Sequence, residues 1–139
     1  MYRVLLPVDT TEERALTQAQ YVSALPNAAD SVEAYILFVF TDDAELPQEF
    51  EQFKSADRIG AVRRAREHLA DNDIDATIIE DSGDATADII DQADEYDVDA
   101  IVLGGRKRSP VGKAVFGSVT QSTILDTDRP VVVTGTRAD

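Results

Sequence analysis

The sequence contains no cysteine and a single histidine, His68. Without thiols there can be no disulfide, no thiolate nucleophile and no cysteine-ligated zinc. One imidazole likewise excludes a multi-histidine metal site. Basic residues are scarce as well: Lys+Arg is 13 against Asp+Glu 27, a net charge of −14 with a pI near 4.3. A body so acidic repels nucleic-acid phosphates and anionic lipid, so neither nucleic acid nor a membrane is expected as a partner. No apolar run approaches the roughly 20 residues that span a bilayer. Met1 leads directly into Arg3-Val4-Leu5-Leu6-Pro7-Val8, which reads as a strand and has no signal-peptide core. The expected location is cytoplasmic.

Two nucleotide-binding fingerprints are also missing. The turn after the first strand-like run, Val8-Asp9-Thr10-Thr11-Glu12, holds no glycine, which disfavours NAD and FAD. A Walker A loop needs a glycine five residues ahead of its Gly-Lys pair. Before Gly112-Lys113 that place holds Lys107, and Ala114 stands where Ser or Thr would bind magnesium, so the chain is not a P-loop NTPase.

What is present is enough apolar material for one core: 139 residues, 43% of them hydrophobic and 29% charged. A single domain over 1–139 is expected. The 27 acids divide into 18 Asp and 9 Glu, and the 13 bases into 10 Arg and 3 Lys (Lys54, Lys107, Lys113). That bias points to a halophilic, salt-rich cytoplasm, where a Debye length of about 3 Å at molar salt screens acidic repulsion. An ordinary acidic cytosolic protein is the alternative.

Apolar and amphipathic runs alternate along the whole chain. Strands are expected at Tyr2–Asp9, Glu33–Phe40, Ile74–Glu80, Asp99–Leu103 and Arg129–Thr134. Helices are expected at Glu12–Leu25, at Gln48–Asn72 with Gly60 as an interruption, at Asp84–Tyr96 behind a Ser82-Gly83-Asp84 cap, and from Gly117-Ser118 to about Leu125. Ala15, Leu16, Ala19, Val22 and Leu25 mark the inner stripe of the first helix. Phe50, Phe53, Ile59, Val62 and Leu69 mark that of the second, and Ala87, Ile90 and Ala93 that of the third. Strands apolar on both faces and separated by helices predict an α/β fold, a doubly wound five-stranded parallel sheet with helices on both faces. With strand order 3-2-1-4-5, the winding reverses between strands 1 and 4, and ligands bind at that switch point beyond the carboxyl ends of the strands.

One loop stands out from its acidic surroundings. Residues 104–118 carry Arg106, Lys107, Arg108 and Lys113 with no acid, and the glycines 104, 105, 112 and 117. Glycine lets backbone N–H groups approach phosphate oxygens, and a helix opening at Gly117-Ser118 adds unpaired donors and the positive end of its dipole. This is the pattern of an anion site. The bland alternative is a tight connection whose bases are solvated or paired.

Taken together, Pro7-Val8-Asp9, Leu37-Phe38-Val39, Gly83-Asp84, the run Asp97 to Gly104, Gly117-Ser118-Val119 and Arg129-Pro130-Val131-Val132-Val133 resemble the universal stress protein family over essentially the whole chain. The family's nucleotide-binding members carry Gly-x2-Gly-x9-Gly-[Ser/Thr]. This sequence matches at Gly104, Gly117 and Ser118 and has Lys107 at the second glycine. The resemblance implies an ATP site in which Pro7, Val8 and Val39 border the adenine and Asp9 faces the ribose or a magnesium bound to the phosphates. Leu103, Gly104, Gly117, Ser118 and Val119 would hold ribose and phosphates, with Lys107 either reaching the phosphates or filling their place. It also implies a homodimer through the edge strand at 129–135, and a sensor or regulator of the stress response rather than an enzyme, with at most slow ATP hydrolysis. The competing expectation is a nucleotide-free dimeric interaction protein whose crevice Lys107 has altered.

The remaining features read as surface. His68 falls among Arg63, Arg64, Arg66 and Glu67 on a charged helix face and is expected to be solvated. The aspartate runs lack the glycine and closing glutamate of an EF-hand loop, which leaves them as acidic surface.

Overall fold

Alternating strands and helices follow one another from the first residues onward. The computed structural model describes residues 1–40, 55–105 and 117–135. The elements are β1 (Tyr2–Pro7), α1 (Glu12–Ser23), α2 (Ala28–Ser31), β2 (Val32–Phe40), a 3-10 turn (Ala56–Arg58), α3 (Gly60–Asp71), β3 (Asp75–Ser82), α4 (Ala85–Glu95), β4 (Ala100–Gly104), α5 (Ser118–Asp126) and β5 (Val131–Thr134). The expected inward residues Phe50 and Phe53 and the basic residues Arg106, Lys107, Arg108 and Lys113 lie outside the described residues.

The strands form one five-stranded parallel sheet in the order β3-β2-β1-β4-β5. Its middle strand is buried on both faces, Val4, Leu5 and Leu6 having no exposed surface. Alternate residues therefore feed two cores. On one face Val4, Leu6, Val8, Ile36 and Val102 pack with Ala15, Ala19 and Val22 of α1 and Val62, Ala65 and Leu69 of α3. On the other, Leu5, Leu37, Ile101 and Leu103 pack with Ile89 and Ala93 of α4. Each large side chain so buried contributes about 1.5–3 kcal/mol relative to exposure, which is what overcomes the cost of ordering the chain.

The two helices on the first face approach closely because small residues line their contact. A Cβ on Gly60 would stand 3.2 Å from the carboxyl carbon of Glu12 on α1, tighter than an ordinary contact. The glycine expected to interrupt a long helix is thus the first residue of α3, following the 3-10 turn. His68 is not simply solvated: its Nε2 lies 2.9 Å from the Ser23 hydroxyl, joining α3 to the end of α1. The stripe of α4 also differs from expectation. Ala87 is exposed and Ile90 half-buried, while Ile89 and Ala93, at i and i+4, are the buried pair. Asp84 accepts from Ala87 N at 2.9 Å as the expected cap, and it is packing against Leu5, Leu37, Ile101 and Leu103 of the sheet that selects Ile89 and Ala93. The short α2, led by Asn27 in the left-handed region at φ 54°, has no counterpart in the sequence periodicity.

Candidate functional site

The two neighbours of β1 leave it at different points. β1 pairs with β2 along its whole length, from Tyr2 with Val32 to Pro7 with Leu37, and Val8 N donates to Leu37 O beyond it. With β4 it shares only Val4–Ala100 and Leu5–Ile101. Past that point β4 stays with β5, through Leu103–Val133 and Gly104–Thr134. The sheet therefore splits between β1 and β4 at its carboxyl end, where the winding reverses.

The split leaves two strand carbonyls, Pro7 O and Val102 O, without a ladder partner across the gap. Gln18 of α1, 1% exposed, answers both: its side-chain amide nitrogen donates to Pro7 O at 2.7 Å and to Val102 O at 2.9 Å. A buried carbonyl left unpaired costs about 1–3 kcal/mol, so this one amide holds the gap at a fixed width.

Above the split lies a crevice of about 850 Å3. The structure brings Pro7, Val8, Asp9, Val39, Leu103, Gly104, Gly117, Ser118 and Val119 together along its walls; of the residues singled out in the sequence, Lys107 lies outside the described residues. Arg14 and Gln18 of α1, not singled out in the sequence, line it as well, as does the Gly83–Thr86 turn, whose Gly83-Asp84 was read there only as a cap and a family motif.

Two helix N-termini face the crevice, and they differ. At α4, Asp84 caps the first turn with its own carboxylate. Behind that cap, the Asp88 carboxyl is pushed above the usual carboxylate range, first by burial and then by Asp81, Asp91 and Asp84 around it. At α5, Gly117 is the capping residue, no side chain of its own satisfies the first turn, and that turn contains no acid. Among the described residues no side chain caps this end, where the leading N–H groups and the positive end of the dipole lie at the crevice wall.

Asp9 is already engaged. Its Oδ1 accepts from Thr11 N at 2.8 Å, shaping the turn into α1, and its Oδ2 is ion-paired with Arg14 Nη1. The carboxylate expected to face a ligand thus also shapes the turn ahead of α1. A magnesium ion at Asp9 would have to displace Arg14, and among the described residues no group of three or more His, Cys, Asp or Glu is placed to hold a metal. Arg14 was legible only as a base in an otherwise acidic first turn. Its spacing from Gln18, four residues along one helix face, was the signal that both reach the same place.

An open α/β sheet of order 3-2-1-4-5, with a polar crevice beyond the carboxyl ends of β1 and β4, defines the class as a doubly wound α/β domain. A family model described as the universal stress protein family matches residues 1–135. The chain belongs to the universal stress protein family. A universal stress protein of Mycolicibacterium smegmatis is 37% identical over 76 residues, 54% of this chain and 58% of that protein. The match thus spans little more than half of that relative's length. Among solved structures, a universal stress protein from Archaeoglobus fulgidus superposes with a TM-score of 0.75 at 25% identity, covering 96% of this chain and 98% of that one. A universal stress protein of the same organism in complex with dAMP superposes with a TM-score of 0.72 at 20% identity, with the same coverage. No helix among the described residues is long and apolar enough to cross a membrane.

Proposed function

We propose that this protein binds an adenine nucleotide, ATP in the first instance, in the crevice between β1 and β4 and acts as a sensor or regulator of the stress response in the cytoplasm. The observation that carries the reading is the uncapped, acid-free N-terminus of α5 at the wall of a crevice that also presents Gly104, Gly117 and Ser118. Phosphate oxygens suit such a helix end, because the N–H groups there have no partner in the helix itself. Pro7, Val8 and Val39 supply an apolar wall that fits the adenine, and the crevice volume of about 850 Å3 falls within the ~300–1,000 Å3 of small-molecule sites. The dAMP held by the structurally similar protein supports the same ligand class. The function is binding rather than turnover: the two carboxylates at the described walls, Asp9 and Asp84, are committed to a turn and a helix cap.

The protein is further proposed to pair with a second copy through β5. Among the described residues that strand borders β4 alone, its valines Val131, Val132 and Val133 are only half-buried, and Ile124 and Leu125 of α5 are exposed. Calorimetric titration of ATP into the protein tests the nucleotide reading. Measurable binding is expected, and Gly117→Val, which puts a branched side chain at the mouth of α5, should weaken it about tenfold or more, the scale of one lost charge-assisted hydrogen bond. The absence of heat at millimolar nucleotide would remove the proposal.

A further inference from the structure

We infer that Arg14 is the anion-recognising side chain of the crevice, and that its ion pair with Asp9 makes nucleotide binding by this protein independent of a divalent cation. The inference rests on the nucleotide reading above and adds to it which residue meets the phosphate and what it replaces.

Arg14 is the one cation among the described residues that line the crevice. It is held there from two sides. Its Nη1 pairs with Asp9 Oδ2, and its stem lies flat on β4, so that a Cβ at Gly104 would run into Arg14 Cγ and stand 2.6 Å from Arg14 Cδ. Gly104 is therefore the residue that lets a long side chain from α1 cross the end of β4. The Arg14 side chain is 24% exposed, yet its Nε is buried and has no hydrogen-bond partner. A guanidinium is planar, with five donors in a fixed fork suited to oxyanions. Here one arm is committed to Asp9 and the Nε is sealed inside, so an anion in the crevice would be met by the exposed remainder of the fork.

The same geometry decides the metal question. A divalent cation at Asp9 would meet a carboxylate that already accepts from Thr11 N and pairs with the guanidinium, and would have to compete with Arg14 for it. It would also sit beside a positive charge. Arg14 thus stands where the cation's charge would be needed, with Asp9 as the anchor that orients it rather than as a metal ligand.

The test is titration of ATP into the full chain at fixed ionic strength, once with magnesium and once with EDTA, for the wild type and for Arg14→Gln and Arg14→Lys. The wild-type dissociation constant is expected to differ less than threefold between the two conditions. Arg14→Gln should bind about tenfold or more weakly in EDTA, the scale of a charged hydrogen bond. It should also recover part of that loss with magnesium, because Asp9 is then free. Arg14→Lys, which keeps the charge, should retain more affinity than Arg14→Gln. Thermal melts confirm that both variants are folded. A threefold or larger gain from magnesium in the wild type, or wild-type affinity in Arg14→Gln, overturns the inference and leaves the nucleotide reading standing. No binding by the wild type under either condition overturns that reading, and this inference with it.

Discussion

Gln18 and Arg14 are polar residues on the inner side of a helix whose other inward positions are alanine and valine, and that misfit is their significance. On α1 the stripe Ala15, Ala19, Val22 follows helical spacing, and Gln18 falls inside it, buried as deeply as its neighbours. A buried amide stays there only if every hydrogen bond it could make in water is replaced, and the split strands supply two carbonyls that need a donor. Asp88 is the opposite case, a carboxyl whose Oδ2 is buried without a partner. Its raised pKa means that the folded protein holds the proton more tightly than the unfolded chain does. The associated stability is present below the unfolded value, about 3.9, and is lost as pH rises through the folded value. At neutral pH the ionised group is a liability. Asp88→Asn should therefore stabilise the protein at pH 7 by about 0.5 kcal/mol, the upper scale of a like-charge pair on a helix. The gain in thermal midpoint over wild type should shrink as pH is lowered from 7 toward 4. A gain that stays constant with pH would show that burial and the neighbouring acids are not its cause.

At the scale of elements, the most exacting contact is the one that keeps β4 and β5 together beyond the split. Gly105 N donates to Thr134 O at 2.6 Å, and a Cβ there would stand 2.8 Å from that same carbonyl oxygen and 3.1 Å from Val133 Cγ1. Backbone cannot yield as a side-chain end can. Gly105→Ala is expected to cost about 1–3 kcal/mol by overpacking, read as a lower urea midpoint. Gly104→Ala meets the stem of Arg14, which can swing aside. It should cost less in stability and more in nucleotide affinity. Equal losses in both measurements for the two variants would contradict this division of labour. The strands themselves were legible from their valine and isoleucine runs, because a strand buried on both faces must be apolar throughout. Helix faces were less so. The Asp84 cap of α4 was legible, but its inward side was not: apolar residues at 87, 89, 90 and 93 fit two stripes, and packing on the sheet selects Ile89 and Ala93.

For the whole molecule, charge and edge act against each other. A net charge of −14 per chain opposes association at low ionic strength, while β5 offers half-buried valines at what is, among the described residues, an edge of the sheet. Sedimentation velocity at micromolar protein in multimolar KCl is expected to give a species of twice 15.2 kDa. The population should shift toward monomer at about 0.05 M salt, where a longer Debye length lets the acidic surfaces repel. A monomer at high salt would sink the proposed pairing.

The sequence by itself determined the layered α/β order, the apolar sheet, the acidic surface and the glycines beside a switch point, because these follow from local pattern and composition. Nine of the residues marked in it do line one crevice. Only the tertiary structure decided how the crevice is held open and that Arg14, among the described residues, lines it. Gln18 bonds to strands at 7 and 102, and Arg14 lies across Gly104. Such partners, far apart in the chain, are set by the angle at which α1 crosses two diverging strands, and no one-dimensional periodicity encodes that angle.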